Sequence, residues 1–272
     1  MRRFVKQPKK RGALRLRLGR AYFIARRYAY WAFGGLCFAR RRGGVLPHEH
    51  FAHQTPLFRQ LKDVDMYLQY NKVENLKIAL PRISGVILHP GETLSYWRLI
   101  GRPTRRKGYL PGMILDSGRF LAGVGGGLCQ LSNLIFWMAL HTPLTITERH
   151  RHGYDVFPDA DRTQPFGSGA TCYWNYGDLM LRNDTPHQFQ LLLNLTDTHL
   201  AGRWCADIPL DYRYEIYEKD HAIQSHFWGN TRHNAIWRKK FDFDNNLLYD
   251  EPIAENHAIM MYPPFLPDTS QT

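Results

Sequence analysis

Cys129, His150 and His152 are the residues whose types and spacing could do chemistry in this chain. Cys129 lies in Gly123-Val-Gly-Gly-Gly-Leu-Cys-Gln-Leu-Ser132. The three glycines before the thiol, Gly125, Gly126 and Gly127, give a loop that can take positive φ and approach another group closely. After them Leu128, Leu131, Leu134, Ile135, Met138 and Ala139 recur at three and four residues, which predicts a helix with Cys129 in its first turn. Unpaired N–H groups and the helix dipole at that position favour a thiolate and a lowered pKa. Backbone amides of the 125–130 turn could then form an oxyanion hole.

The base is expected from Glu148-Arg-His-Arg-His152. His150 and His152 are two apart, so in an extended segment they share a face and either could meet Cys129. Asp178, in Trp174-Asn-Tyr-Gly-Asp178, is the candidate third group that orients the base, with Asn175 behind it. Gly125, Gly126, Gly127, Gln130, Ser132 and Glu148 are the candidate substrate-binding residues. A cysteine on a helix, a histidine on a strand and an aspartate on the next strand is the order of papain-like and transglutaminase-like thiol enzymes, an analogy of order alone.

The same residues have other readings. Cysteine often serves as a small buried hydrophobe, the glycines could serve close packing, and Glu148, Arg149 and the histidines could form a salt-bridged network. Cys129 with the two histidines could hold zinc, with Glu148 or Asp178 closing the site, although the familiar metal spacings are absent. His48, His50 and His53 read as a solvated loop rather than a metal site. Glu92 and Arg162 read as turn caps or charge partners. No Walker loop, GxGxxG or HExxH occurs, so neither a cofactor nor a metal is assigned.

The elements that must position these groups read as one α+β domain: an antiparallel sheet with the glycine loop and cysteine helix packed on it, behind a basic helical arm. With 272 residues and 44% apolar content the chain can bury a real core. Its charge of +12 is local. Residues 1–48 hold 14 Lys or Arg and no Asp or Glu, leaving the rest near −2. The basicity therefore belongs to the arm and implies no specific nucleic-acid partner. Four widely spaced cysteines without a CxxC favour a reducing compartment.

Residues 1–46 form the arm. Residues 21–39 are apolar and aromatic but carry Arg26 and Arg27 at their centre, which disfavours a spanning helix or a secretory signal. Two readings lead, a helix on an anionic membrane surface or one that packs its aromatics on the domain and keeps its arginines in water, and a disordered or nucleic-acid-binding arm stands third. Residues 47–84 read as a His-rich link from Pro47 to Pro56 followed by a helix from Leu57 to Leu80, with a break at Asn71. Within 85–262, strands are expected at Val86–Leu88, Leu144–Thr147, Cys172–Arg182, Phe189–Leu195, Leu200–Ala206 and Tyr212–Tyr217. Hairpins are expected across Asp116–Gly118 and Asp244–Asn246. Residues 263–272 read as a loose tail.

His89-Pro-Gly-Glu-Thr-Leu-Ser95, Ile100-Gly-Arg-Pro103, Lys107-Gly-Tyr109, the glycine–cysteine stretch, Glu148-Arg-His-Arg-His152 and Tyr176-Gly-Asp-Leu-Met-Leu-Arg-Asn183 together resemble, in order, the VanW family. That family is named for an accessory protein of vancomycin B-type resistance clusters. The resemblance covers about residues 85–200 and supplies a name without a reaction. It implies a cell-envelope connection, whereas many members carry an anchor or extra modules that this sequence does not show. The expectation is a cytoplasmic protein, peripheral on the membrane, whose Cys129 thiol, with His150 or His152 and Asp178, acts by acyl transfer or hydrolysis on a peptide-like, cell-wall-related amide. The alternative is a binding module in which the same residues shape a pocket.

Overall fold

The computed structural model describes residues 12–58, 65–116, 118–156, 164–209 and 211–262. Residues 1–11 of the arm, Arg162 and the tail beyond 262 lie outside the described residues. Helix α1 (Ala13–Phe33) leads into a short strand β1 (Cys37–Phe38) and then into strand β2 (His48–Pro56). Residues 48–56 are therefore a strand and not a loop. The reason lies in the histidine rings, which act here as flat half-buried plates rather than as solvated polar groups. Phe51 stacks on His141 at 3.8 Å, and His50 and His53 lie against Phe189 and Trp137. Burial pushes His50 down to about 4 and lowers His53.

Helix α2 (Met66–Ile83) runs unbroken through Asn71, whose amide donates to the Pro111 carbonyl at 2.8 Å. Strands β3 (Val86–Leu88) and β4 (Glu92–Ser95) are followed by the single-turn helix α3 (Tyr96–Ile100). The expected hairpin is present as β5 (Pro111–Asp116) and β6 (Arg119–Val124), and its end feeds the glycine loop into α4 (Cys129–Leu140). Strands β7 (Thr145–Glu148), β8 (Tyr154–Asp155), β9 (Met180–Arg182), β10 (Phe189–Leu195) and β11 (His199–Ala206) follow. The long meander β12 (Tyr212–His226), β13 (Gly229–Asp242) and β14 (Leu247–Met260) ends the described chain. Only the last three residues of the expected Cys172–Arg182 strand are extended. The stretch before them folds back on itself through a bridge between Tyr173 and Gly177.

The architecture is α+β, with mostly antiparallel pairing. Three four-stranded sheets have the orders β1-β4-β9-β7, β2-β11-β10-β3 and β12-β13-β14-β8, and β5-β6 stands as a separate hairpin. Helix α4 is the centre of the core. It buries Leu131, Ser132, Leu134, Ile135, Phe136, Met138, Ala139 and Leu140, so it is covered nearly all round and packs on β11 and β2. Each of the large side chains contributes about 1.5–3 kcal/mol by its burial. Cys129, the first residue of this helix, is thereby fixed to the best-packed part of the molecule.

Candidate functional site

The glycine loop is shaped by close packing. A Cβ on Gly126 would lie 2.1 Å from the Gly112 carbonyl oxygen, and one on Gly125 would strike Pro103. Gly127 takes φ +87° against the Lys72 side chain, a conformation open to glycine. The loop amides are mostly committed to protein acceptors. Gly125 donates to the Leu110 carbonyl at 3.0 Å, Gly126 to Gly123 at 2.9 Å, Gly127 to Met113 at 2.9 Å and Gln130 to Gly127 at 3.1 Å. Fully buried Asn75 ties the turn down by donating to the carbonyls of Leu110 and Gly126, both at 3.0 Å. The N–H groups of Leu128 and Cys129 have no acceptor among the described residues. The expected oxyanion amides thus shrink to these two.

Cys129 is half-buried at the helix start. Its thiol is raised rather than lowered, because burial disfavours the thiolate more than the Cys172 N–H favours it. The helix-terminus expectation fails here because the sulfur is buried along with the helix. Among the described residues, neither His150 nor His152 is one of the groups that act on this thiol.

The histidines have other partners. At the end of β7, Glu148 Oε1 and His150 Nε2 are 2.7 Å apart. The same carboxylate is gripped by Arg27 of α1, whose Nη1 reaches Oε2 at 2.6 Å and whose Nη2 reaches Oε1. It also accepts the Asp178 N–H at 2.9 Å. Burial alone would raise the Glu148 carboxyl. Hydrogen bonds from His150, Arg27 and the Asp178 N–H, with the Arg27 charge, outweigh that and hold it at about 2. The His150 side chain is 43% exposed while those of Arg27 and Glu148 are 9% and 19% exposed, so the imidazole is the open end of this array.

Strand β7 ends at Glu148, and the two imidazoles take different partners. His152 Nδ1 pairs instead with the Tyr173 hydroxyl at 3.0 Å, and burial with the nearby Arg151 charge lowers it to about 4. The Tyr173 phenol is raised by burial and by the charge of Cys129. The ring of Tyr173 and that of His150 flank Gly177, where a Cβ would lie 2.9 Å from Tyr173 Cδ2 and 3.4 Å from His150 Cδ2.

Asp178 orients neither imidazole through a hydrogen bond among the described residues. It is fully buried beneath α3, where Oδ2 accepts the Ser95 hydroxyl at 2.5 Å and Oδ1 accepts the N–H groups of Trp97 and Leu179, both at 2.9 Å. Burial raises it to about 6 against the pull of Ser95 and Trp97, and the Glu148 charge adds to the rise. Asn175 is also fully buried, and neither amide atom has a hydrogen-bond partner among the described residues.

Gln130 and Ser132 are committed to the fold. Gln130 donates to the Pro56 carbonyl at 2.8 Å and to Thr55 at 3.0 Å, and Ser132 donates to the Ala170 carbonyl at 2.6 Å. Asn133 accepts the Ala170 N–H at 2.8 Å, so α4 holds the 170–173 segment beside Cys129. The described residues contain no group of three His, Cys, Asp or Glu able to hold a metal. Arg27 and Tyr173 are the site residues that motif reading missed. The one signal for Arg27 is an arginine pair inside an otherwise apolar stretch, and Tyr173 had none beyond its place next to Cys172.

Comparison with known proteins places these motifs. Residues 71–205 match a family model described as VanW like protein. The chain is 37% identical over 190 residues to the vancomycin B-type resistance protein VanW of Enterococcus faecalis (strain ATCC 700802 / V583), covering 70% of this chain and 69% of that protein. It is 31% identical over 113 residues to the uncharacterized protein YoaR of Bacillus subtilis (strain 168), covering 42% of this chain and 36% of that one. No solved structure matches. The glycine loop, Cys129, Glu148, His150 and Asp178 all lie inside the matched span, and the chain belongs to the VanW family.

Proposed function

We propose that this VanW-family protein is a thiol-dependent acyl transferase or amidohydrolase acting on a peptide-like, cell-envelope-related amide. Cys129 is the nucleophile and Glu148 orients His150, the base, which makes no hydrogen bond to the thiol in the free protein and is to meet it when substrate binds. The observation that carries this reading is the 2.7 Å contact between Glu148 and His150. A carboxylate held ionised at Nε2 keeps the proton on that nitrogen and leaves Nδ1 as the basic one. This is the part that sequence order had given to Asp178. In the first step the Cys129 sulfur attacks the amide carbonyl while His150 takes the thiol proton. The C–N bond then breaks, His150 protonates the departing amine, and a thioester remains on Cys129. Water or an acceptor amine attacks the thioester, the acyl group leaves, and the thiol regains its proton. The N–H groups of Leu128 and Cys129 are the donors left to face the developing oxyanion. A thiol held neutral until substrate arrives suits general-base attack better than a standing thiolate–imidazolium pair. The test is peptide-resolved mass spectrometry after incubation with p-nitrophenyl acetate. Acyl adduct is expected on the peptide that holds Cys129 and lost from it in Cys129→Ser, and an unchanged adduct on that peptide contradicts the proposal.

A second reading, a binding module without turnover, is favoured by the raised Cys129 thiol and by the committed loop amides. Under it, Cys129→Ser folds normally and retains binding of muropeptides from digested peptidoglycan, and neither protein changes the composition of that mixture.

A further inference from the structure

The arm helix is packed the opposite way round from an ordinary surface helix. Its inward residues are Ile24, Arg27 and Trp31, at helical spacing, with Trp31 buried and Arg27 bound to Glu148. Its outward face carries Leu14, Leu18, Tyr22, Ala25, Ala29 and Phe33, spaced by three or four residues and therefore in one line along the helix. Leu14 is 70% exposed and Phe33 is 88% exposed. The reading in which this helix buries its aromatics on the domain is thus corrected: one aromatic is buried and most face out. Apolar side chains along about five turns of helix form a patch of the kind that marks an interaction surface.

Charge decides what covers it. Arg15, Arg17 and Arg26 are exposed beside this line, and none is in an ion pair with a described carboxylate, whereas Arg20 falls on the inward line with Ile24 and Arg27 and acts on Tyr176. The sequence has no Asp or Glu before Glu49. A line of Leu, Tyr and Phe flanked by arginines matches the interface of an anionic bilayer, where rings and methyls enter the acyl boundary and guanidinium groups meet phosphates. No described helix is long and apolar enough to cross a membrane, which leaves α1 lying in the interface rather than spanning it. We propose that the outward face of α1 docks this protein on an anionic lipid surface, while its inward face keeps Arg27 on Glu148. Docking so arranged leaves the Glu148–His150 pair intact and sets the candidate site at a fixed orientation to the membrane.

The test uses the full chain and sedimentation with vesicles of phosphatidylglycerol and phosphatidylcholine, beside vesicles of phosphatidylcholine alone, at low and high salt. The protein is expected to pellet with the anionic vesicles at low salt and to be released at high salt. Replacing Arg15, Arg17 and Arg26 by Gln is expected to weaken binding by about fivefold per charge. Leu14→Ser, Leu18→Ser and Phe33→Ser together are expected to abolish it with the far-ultraviolet circular dichroism unchanged, since all three side chains are exposed. Equal pelleting with neutral and anionic vesicles overturns the proposal. So does an absence of pelleting combined with a self-association that the triple Ser variant removes, because a second copy would then be what covers this face.

Discussion

Glu148 and Asp178 are joined by one hydrogen bond, from the Asp178 N–H to Glu148 Oε1, yet the fold drives them in opposite directions. Asp178 is wholly buried, receives Ser95, Trp97 and Leu179, and is pushed up to about 6. Glu148 keeps a partly open side, receives Arg27 and His150, and is held at about 2. The buried carboxylate anchors the start of α3 and the rim carboxylate serves an imidazole. Neighbouring titratable groups whose environments separate their pKa values mark a division of labour, and here it is between structure and chemistry.

The largest effect on stability is expected from Asp178→Ala. It leaves the Ser95 hydroxyl and the Trp97 and Leu179 N–H groups buried without acceptors, at about 1–3 kcal/mol each. A loss above about 3 kcal/mol in urea unfolding is predicted, and a loss near zero would break the comparison. Glu148→Gln follows, at about 2–3 kcal/mol at neutral pH. Its sign with pH is specific. The folded carboxyl lies below its ordinary 4.5, so the contribution is full above that value and fades as pH falls toward 2. Asp178 behaves in the reverse sense. Its folded value lies above the ordinary 3.8, so the fold favours the protonated form, and that contribution is lost as pH rises through about 6. Stability profiles of Glu148→Gln and Asp178→Asn should therefore lose different segments of the wild-type pH dependence.

Smaller shifts sharpen the same contrast. Ser95→Ala removes one donor to Asp178 and is expected to cost about 1–2 kcal/mol, read as a lower urea midpoint. His150→Gln is expected to change stability by less than about 0.5 kcal/mol, because the ring is partly open to water and Gln can still donate to Glu148. That variant should matter for chemistry alone.

Much of the fold is legible in local sequence. The α4 periodicity, the 111–124 hairpin and the β10–β11 pair all follow from patterns a few residues long. What is not legible is set by partners far apart in the chain. Arg27 and Glu148 are 121 residues apart, and Ser95 and Asp178 are 83 apart, so no spacing rule joins them. The type and chain order of Asp178 suit an imidazole partner, but its surroundings, the start of α3, depend on how the 172–179 stretch turns back. The strand at 48–56 is not legible because histidine counts as polar in a pattern, whereas His50 and His53 lie against aromatic rings in the structure. Spacing alone puts Cys129 at the start of its helix, but the direction of its pKa depends on burial of the sulfur, which no local pattern carries.

The central claim is that Glu148-oriented His150 serves the Cys129 thiol. It is tested most directly by the rate of acyl-adduct formation with p-nitrophenyl acetate, resolved by cysteine, in wild type and His150→Gln. Exposed Cys37 provides an internal control in the same molecule. The account predicts that acylation of Cys129 falls by about 100-fold or more in the variant while that of Cys37 is unchanged. Equal rates at Cys129 in the two proteins would contradict it.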